Sequence, residues 1–167
     1  MDPLSPLPGR AIVRKHRGPV PTDILDLSQL ARVEVTSEQE LYPIDHLFDG
    51  RDGPGGSCWV ASSMGPQDIV LRFERPLGVL DTISVESEER SVQHTQTLEL
   101  GGWSEHTQGQ FGGAARPLEY APYGPSFHRT VWNLGERIVT YIRLRVIPGR
   151  PAAYASLTSI VLRSALR

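Results

Sequence analysis

The 167-residue chain has a single cysteine, Cys58, and a single lysine, Lys15. One thiol excludes an intramolecular disulfide and any zinc site built on several cysteines. It also suits a reducing compartment. A Walker-type phosphate loop needs Gly-Lys-Ser/Thr, and Lys15 stands in no glycine loop. Charge of either sign is not in excess: the formal net charge is −2. No basic footprint for nucleic acid or an anionic membrane therefore exists. No apolar run approaches the roughly 20 residues that span a bilayer, and "MDPLSPLPGRAIVRK" holds no signal-peptide core. The expectation is a cytoplasmic chain with neither a nucleic-acid partner nor membrane insertion. Catalytic patterns are missing too. The five histidines (His16, His46, His94, His106, His128) lack metal-type spacing. No Gly-x-Ser-x-Gly elbow surrounds Ser62 or Ser63. The chain is expected not to be an enzyme.

Proline and glycine, by contrast, are abundant. Residues 1–22 ("PLSPLPGR", "RKHRGPVP") read as an extended, poorly packed Pro-rich arm, because proline fixes φ and removes donors. Residues 23–167 read as one domain. Within it, "DILDLSQLA" fits a short helix or a strand lead-in. Beyond that the apolar period is two. Val33 and Val35 share a face, as do Ile69, Leu71 and Phe73; Ile83 and Val85; Leu98 and Leu100; Ile142, Leu144 and Val146; and Ile160 and Leu162. Such alternation marks strands with one buried face. Turn-forming clusters separate them, and no long amphipathic helix is evident. The fold class is all-β, a sandwich or jelly roll.

The stretch "LFDGRDGPGGSCWVASS" admits two readings. Asp49, Asp52 and Ser57 supply hard oxygens suited to Ca²⁺; Asp-Gly is also ordinary turn chemistry without metal. Glu86, Glu88 and Glu89 in "ESEER" read as a solvated acidic strand end, since nothing apolar brackets them. Aromatic residues crowd 101–127, among them Trp103 and Tyr120. They suit either a sugar or peptide groove or a small core pinning a long loop.

These segments together resemble the discoidin, or coagulation factor 5/8 type C, family of galactose-binding-like domains. The resemblance covers residues 31–163. It rests on Leu47-Phe48-Asp49-Gly50, Ser57, Trp59, Ser62, Pro66, the "YIRLRV" strand and Ala155–Ile160 in that order. It implies an eight-stranded antiparallel jelly-roll β-sandwich with Trp59 packed behind the acid-glycine turn. It implies a structural Ca²⁺ held by Asp49, Asp52 and Ser57, although Ser159 stands where the family has a closing glutamate. It also implies a ligand surface at the loop end, with Arg90, Gln93 and His94 in one loop and Glu38 and Tyr42 in another. Trp103 is the expected stacking face. Two non-catalytic functions follow: carbohydrate binding through that surface, or adaptor binding to a protein partner, which the missing disulfides favour.

Overall fold

The computed structural model describes residues 9–14, 24–50, 53–54, 57–89, 93–104, 109–112, 115–121, 127–149 and 154–164; at 76–79, 104, 109–111 and 135–137 it describes backbone only. Strand β1 spans Arg10–Ala11, β2 Ala31–Val35, β3 Trp59–Val60, β4 Gln67–Glu88 and β5 His94–Ser104. There follow β6 (Gly109–Gly112), β7 (Arg116–Tyr120), β8 (Phe127–Pro148), β9 (Ser156–Leu157) and β10 (Ser159–Ser164). All pairings among the named strands are antiparallel, so the all-β expectation holds. The ambiguous "DILDLSQLA" contains a single turn of helix, α1 (Leu27–Leu30), whose N-cap Asp26 accepts the Ser28 N–H at 3.1 Å.

The two 22-residue strands β4 and β8 run through the whole fold. One half of β4, Ile69–Phe73, pairs with β2 on the side away from β8; the other, Leu80–Glu86, pairs with β10. Between them the β4–β8 ladder loses register at Arg72/Leu77, Leu77/Leu80 and Leu80/Thr82. Pro76 lies in that break, where a missing N–H does least harm to the ladder. Irregularities of this kind bend a sheet, and both halves deliver residues to one core: Val33, Ile69, Leu71, Leu98, Leu144 and Val146 with Ile83, Val85, Ile160 and Leu162. The ends of β4 and β8 therefore meet at one pole with the described residues of 36–50, 57–66, 93 and 154–158. That pole is the loop end.

The arm needs correcting over residues 10–14. Arg10 and Ala11 pair with Val33 and Arg32, and Ile12 is 4% exposed within the core. Local composition hid this, because the partners are distant in sequence. Gly9 precedes the strand at φ 92°, and a Cβ there would lie 2.4 Å from the Val33 carbonyl oxygen. Gly9→Ala is expected to lower stability by about 1 kcal/mol or more, readable in a urea titration. Among the described residues no helix is long and apolar enough to cross a membrane.

Candidate functional site

The first loop at the loop end is pinned from three sides. Arg10 clamps two carboxylates: its Nη2 lies 3.0 Å from both oxygens of Glu38, and its Nη1 lies 2.8 and 3.0 Å from those of Asp45. Burial works against the guanidinium's charge, but Asp45 and Glu38 outweigh it and raise the Arg10 pKa. Glu38 also accepts the Ile44 N–H at 2.9 Å. This expected ligand residue is thus spent on positioning the loop. Ser37 joins the next wall: its hydroxyl accepts the Ser62 and Ser63 N–H groups at 3.0 Å and donates to Gln67 at 2.7 Å. The buried Trp59 indole donates to the Ser37 carbonyl at 3.0 Å, so its role in the core is as expected. So held, a turn closed by Tyr42 N–H to Gln39 C=O projects Leu41, 78% exposed, and Tyr42, 41% exposed.

The acid-glycine turn is organised differently from the sequence expectation. Asp49 is buried at the end of a 3₁₀ turn (Ile44–Phe48), Ser57 is half-buried, and Asp52 lies outside the described residues. The acid that faces this turn comes from β4. Glu86 is fully buried, accepts the Gly53 N–H at 2.8 Å, and pairs with Arg129 Nε at 2.5 Å. Glu86 is therefore not part of a solvated strand end. Its partners lie 33 and 43 residues away, which local patterning cannot register. Ser159 is the strand partner of Glu86. Ca²⁺ needs six to eight oxygens, whereas Glu86 here meets N–H donors. Among the described residues no group of three or more His, Cys, Asp or Glu is placed to hold an ion. Glu86→Ala should cost about 2–3 kcal/mol, below the usual penalty for breaking a buried pair because Arg129 is about half exposed and can rehydrate.

Of the expected ligand residues near the β4–β5 turn, Arg90 lies outside the described residues and Gln93 is exposed. His94 is buried instead: its ring stacks on Tyr120 at 4.9 Å, with Glu89 Oε1 3.4 Å from Nε2. Tyr120 meets the His128 ring edge-on at 4.8 Å, and its hydroxyl bonds Ser87. His94 is thus a member of a packed aromatic base beneath the turn. Burial raises the Tyr120 pKa above its ordinary 10.0, partly offset by hydrogen bonds from Ser87 and Gln96. A folded state that holds the phenol protonated more tightly keeps this contribution below about pH 10 and loses it as the pH rises through the folded value. Urea midpoints should therefore fall as the pH rises above about 10, and Tyr120→Phe should flatten that fall.

Trp103 is not at this end. It sits nine residues along β5 from His94, about 30 Å away at strand rise. It cannot stack a ligand held beside His94 or Gln93. Among the described residues, the exposed aromatic residues of the loop end are Tyr42 and Tyr154, the latter 45% exposed. Backbone bonds tie their loops to the end of β3: Val60 N–H to the Tyr42 carbonyl at 3.2 Å, and the N–H of Ala61, one residue past the strand, to the carbonyl of Ala155, which follows Tyr154, at 2.9 Å. Gln96, 1% exposed, grips the Ser156 backbone in both directions and brings the start of β5 to the same place. Tyr42 is one of the residues expected from the sequence and Tyr154 is not; for Tyr154 a lone aromatic residue in "PAAYAS" was the only available signal.

No family model matches the chain, and no curated protein matches it in sequence. Solved structures do. The family 32 carbohydrate-binding module of C. perfringens NanJ, in complex with galactose, has a TM-score of 0.60 at 16% identity, covering 84% of this chain and 97% of that one. CpGH89CBM32-5 of Clostridium perfringens, in complex with GalNAc-β-1,3-galactose, gives 0.58 at 12% identity, covering 84% and 99%. CBM32-3 of a family 31 glycoside hydrolase from Clostridium perfringens gives 0.57 at 16%, covering 84% and 94%. These likenesses establish the galactose-binding-like β-sandwich, which such modules share with discoidin domains.

Proposed function

We propose that this chain is a non-catalytic carbohydrate-binding module that takes a neutral sugar at its loop end. The carrying observation is the pair of exposed tyrosines, Tyr42 and Tyr154, mounted on loops that are bonded to one strand. An aromatic face stacks on the apolar C–H face of a sugar, while the exposed Gln93 amide can bond hydroxyls in both directions. Rigid mounting lowers the entropy lost on binding. Fold relatives supply the ligand class: a module of this fold is complexed with galactose and another with a galactose-containing disaccharide. Calorimetric titration with galactose and N-acetylgalactosamine tests this. Wild type is expected to bind in the millimolar range or tighter, with Tyr42→Ala and Tyr154→Ala each weakening binding about tenfold. Thermal midpoints should stay within about 2 °C, as for exposed side chains. Binding by both variants as tight as that of wild type would reject the loop end as the site.

Calcium at the acid-glycine turn is not part of this reading. We propose that Glu86, Gly53 and Arg129 hold the turn without an ion. Chelator treatment should then leave the melting temperature unchanged; a fall of several degrees would restore the ion.

The exposed Leu41 and Met64 favour a second reading, docking of a protein partner at the same end. Leu41→Ser with Met64→Ser separates the two: it should spare sugar binding and abolish partner capture.

A further inference from the structure

The outer face of the front half of the sheet carries a second recess, away from the loop end. Ile142 and Leu144 point into the core, so the residues between and beside them, Tyr141, Arg143 and Arg145, occupy the opposite face. Cross-strand register sets Trp103 against Tyr141, Gly101 against Arg143 and Glu99 against Arg145. In the next strand Gly112 stands opposite Gly101. The middle row thus has no side chain on β5 or β6, while both flanking rows have large ones on β5. A cavity of about 250 Å³ results, lined by Glu99, Gly101, Tyr141, Arg143 and Arg145 among others.

Its polar groups are unequal. Arg145 is engaged by Asp68 at 2.9 and 3.2 Å. Arg143 is half-buried, and its side chain makes no ion pair or hydrogen bond with a described residue. Tyr141 is 1% exposed, and no described residue hydrogen-bonds its hydroxyl. A half-desolvated guanidinium without a carboxylate is a fork matched to one. Glu99 supplies an acceptor for neighbouring hydroxyls, and the buried Tyr141 walls one side of the recess.

We propose that this recess binds the carboxylate of a uronic-acid sugar, Arg143 holding the carboxylate and Glu99 the ring hydroxyls. The choice of a sugar over another carboxylate rests on the carbohydrate reading above; the carboxylate itself rests on Arg143 alone.

The test is titration of isotopically labelled protein with glucuronate, galacturonate, acetate and galactose, following amide shifts of Gly101, Gly102 and Arg143. The uronates should move these signals saturably at millimolar concentration, and acetate and galactose should be at least about tenfold weaker there. Arg143→Ala should weaken uronate binding tenfold or more, and Arg143→Lys should recover only part, because the charge returns without the fork. An unchanged melting temperature confirms that these variants fold. Tyr42→Ala combined with Tyr154→Ala should leave uronate binding intact, so this site and the loop-end site fail or succeed separately. Undiminished uronate binding by Arg143→Ala overturns the proposal. So does acetate binding wild type as tightly as glucuronate.

Discussion

A chain lacking residues 1–14 is expected to be less stable than the full chain by about 3–5 kcal/mol. Burial of an isoleucine side chain contributes about 1.5–3 kcal/mol, and Ile12 is nearly wholly buried. The Arg10 side chain is 43% exposed, so each of its ion pairs contributes at most about 1 kcal/mol. Their loss has a second consequence: Glu38 and Asp45 remain as two adjacent carboxylates with their shared cation gone. Ladder bonds from β1 to β2 are lost as well, leaving β2 as an unpaired edge. At about 2–4 °C per kcal/mol for a domain of this size, the melting temperature should drop by roughly 10 °C. Sugar binding should weaken in parallel, since Glu38 positions the loop that carries Tyr42. A melting temperature within 2 °C of the full chain would show that the segment merely lies on the surface.

Trp59→Ala is the single substitution expected to do most damage, about 3–5 kcal/mol. The indole is fully buried, so its removal leaves a cavity that the surrounding strands can close only in part. It also strands the Ser37 carbonyl, whose donor is the indole N–H at 3.0 Å. Trp59→Phe separates the two costs. It keeps most of the volume and loses the donor, and should cost about 1–2 kcal/mol. Urea unfolding of both variants checks this, the midpoints falling and the slope staying constant. Equal midpoints for Trp59→Ala and Trp59→Phe would mean that the hydrogen bond, not the packing, carries the residue's weight.

The sandwich was legible because its strands bury one face each. Ile83 with Val85 and Leu98 with Leu100 announce themselves by alternation, and each is buried as that alternation requires. Strand β1 was not legible, since two residues among prolines carry no period and gain their place from Val33 and Arg32. Glu86 was misread for a related reason: what makes a buried carboxylate tolerable is an arginine brought alongside by strand register. At the candidate site, residue type was legible and position was not. His94 has the chemistry of a ligand residue but the burial of a core one, and Trp103 shares a strand with it at the far end. Tyr154 carries no local signature beyond one aromatic residue; the β3–β9 pairing and the bond from Ala61 to Ala155 bring it near the loop that holds Tyr42.

The most direct test of sugar binding at the loop end is amide shift mapping with galactose on the full chain. Saturable shifts should cluster at Gln39–Tyr42, Val60, Ala61, Gln93 and Tyr154–Ser156. No shifts at tens of millimolar galactose, or shifts confined to the sheet face around Arg143, would contradict it.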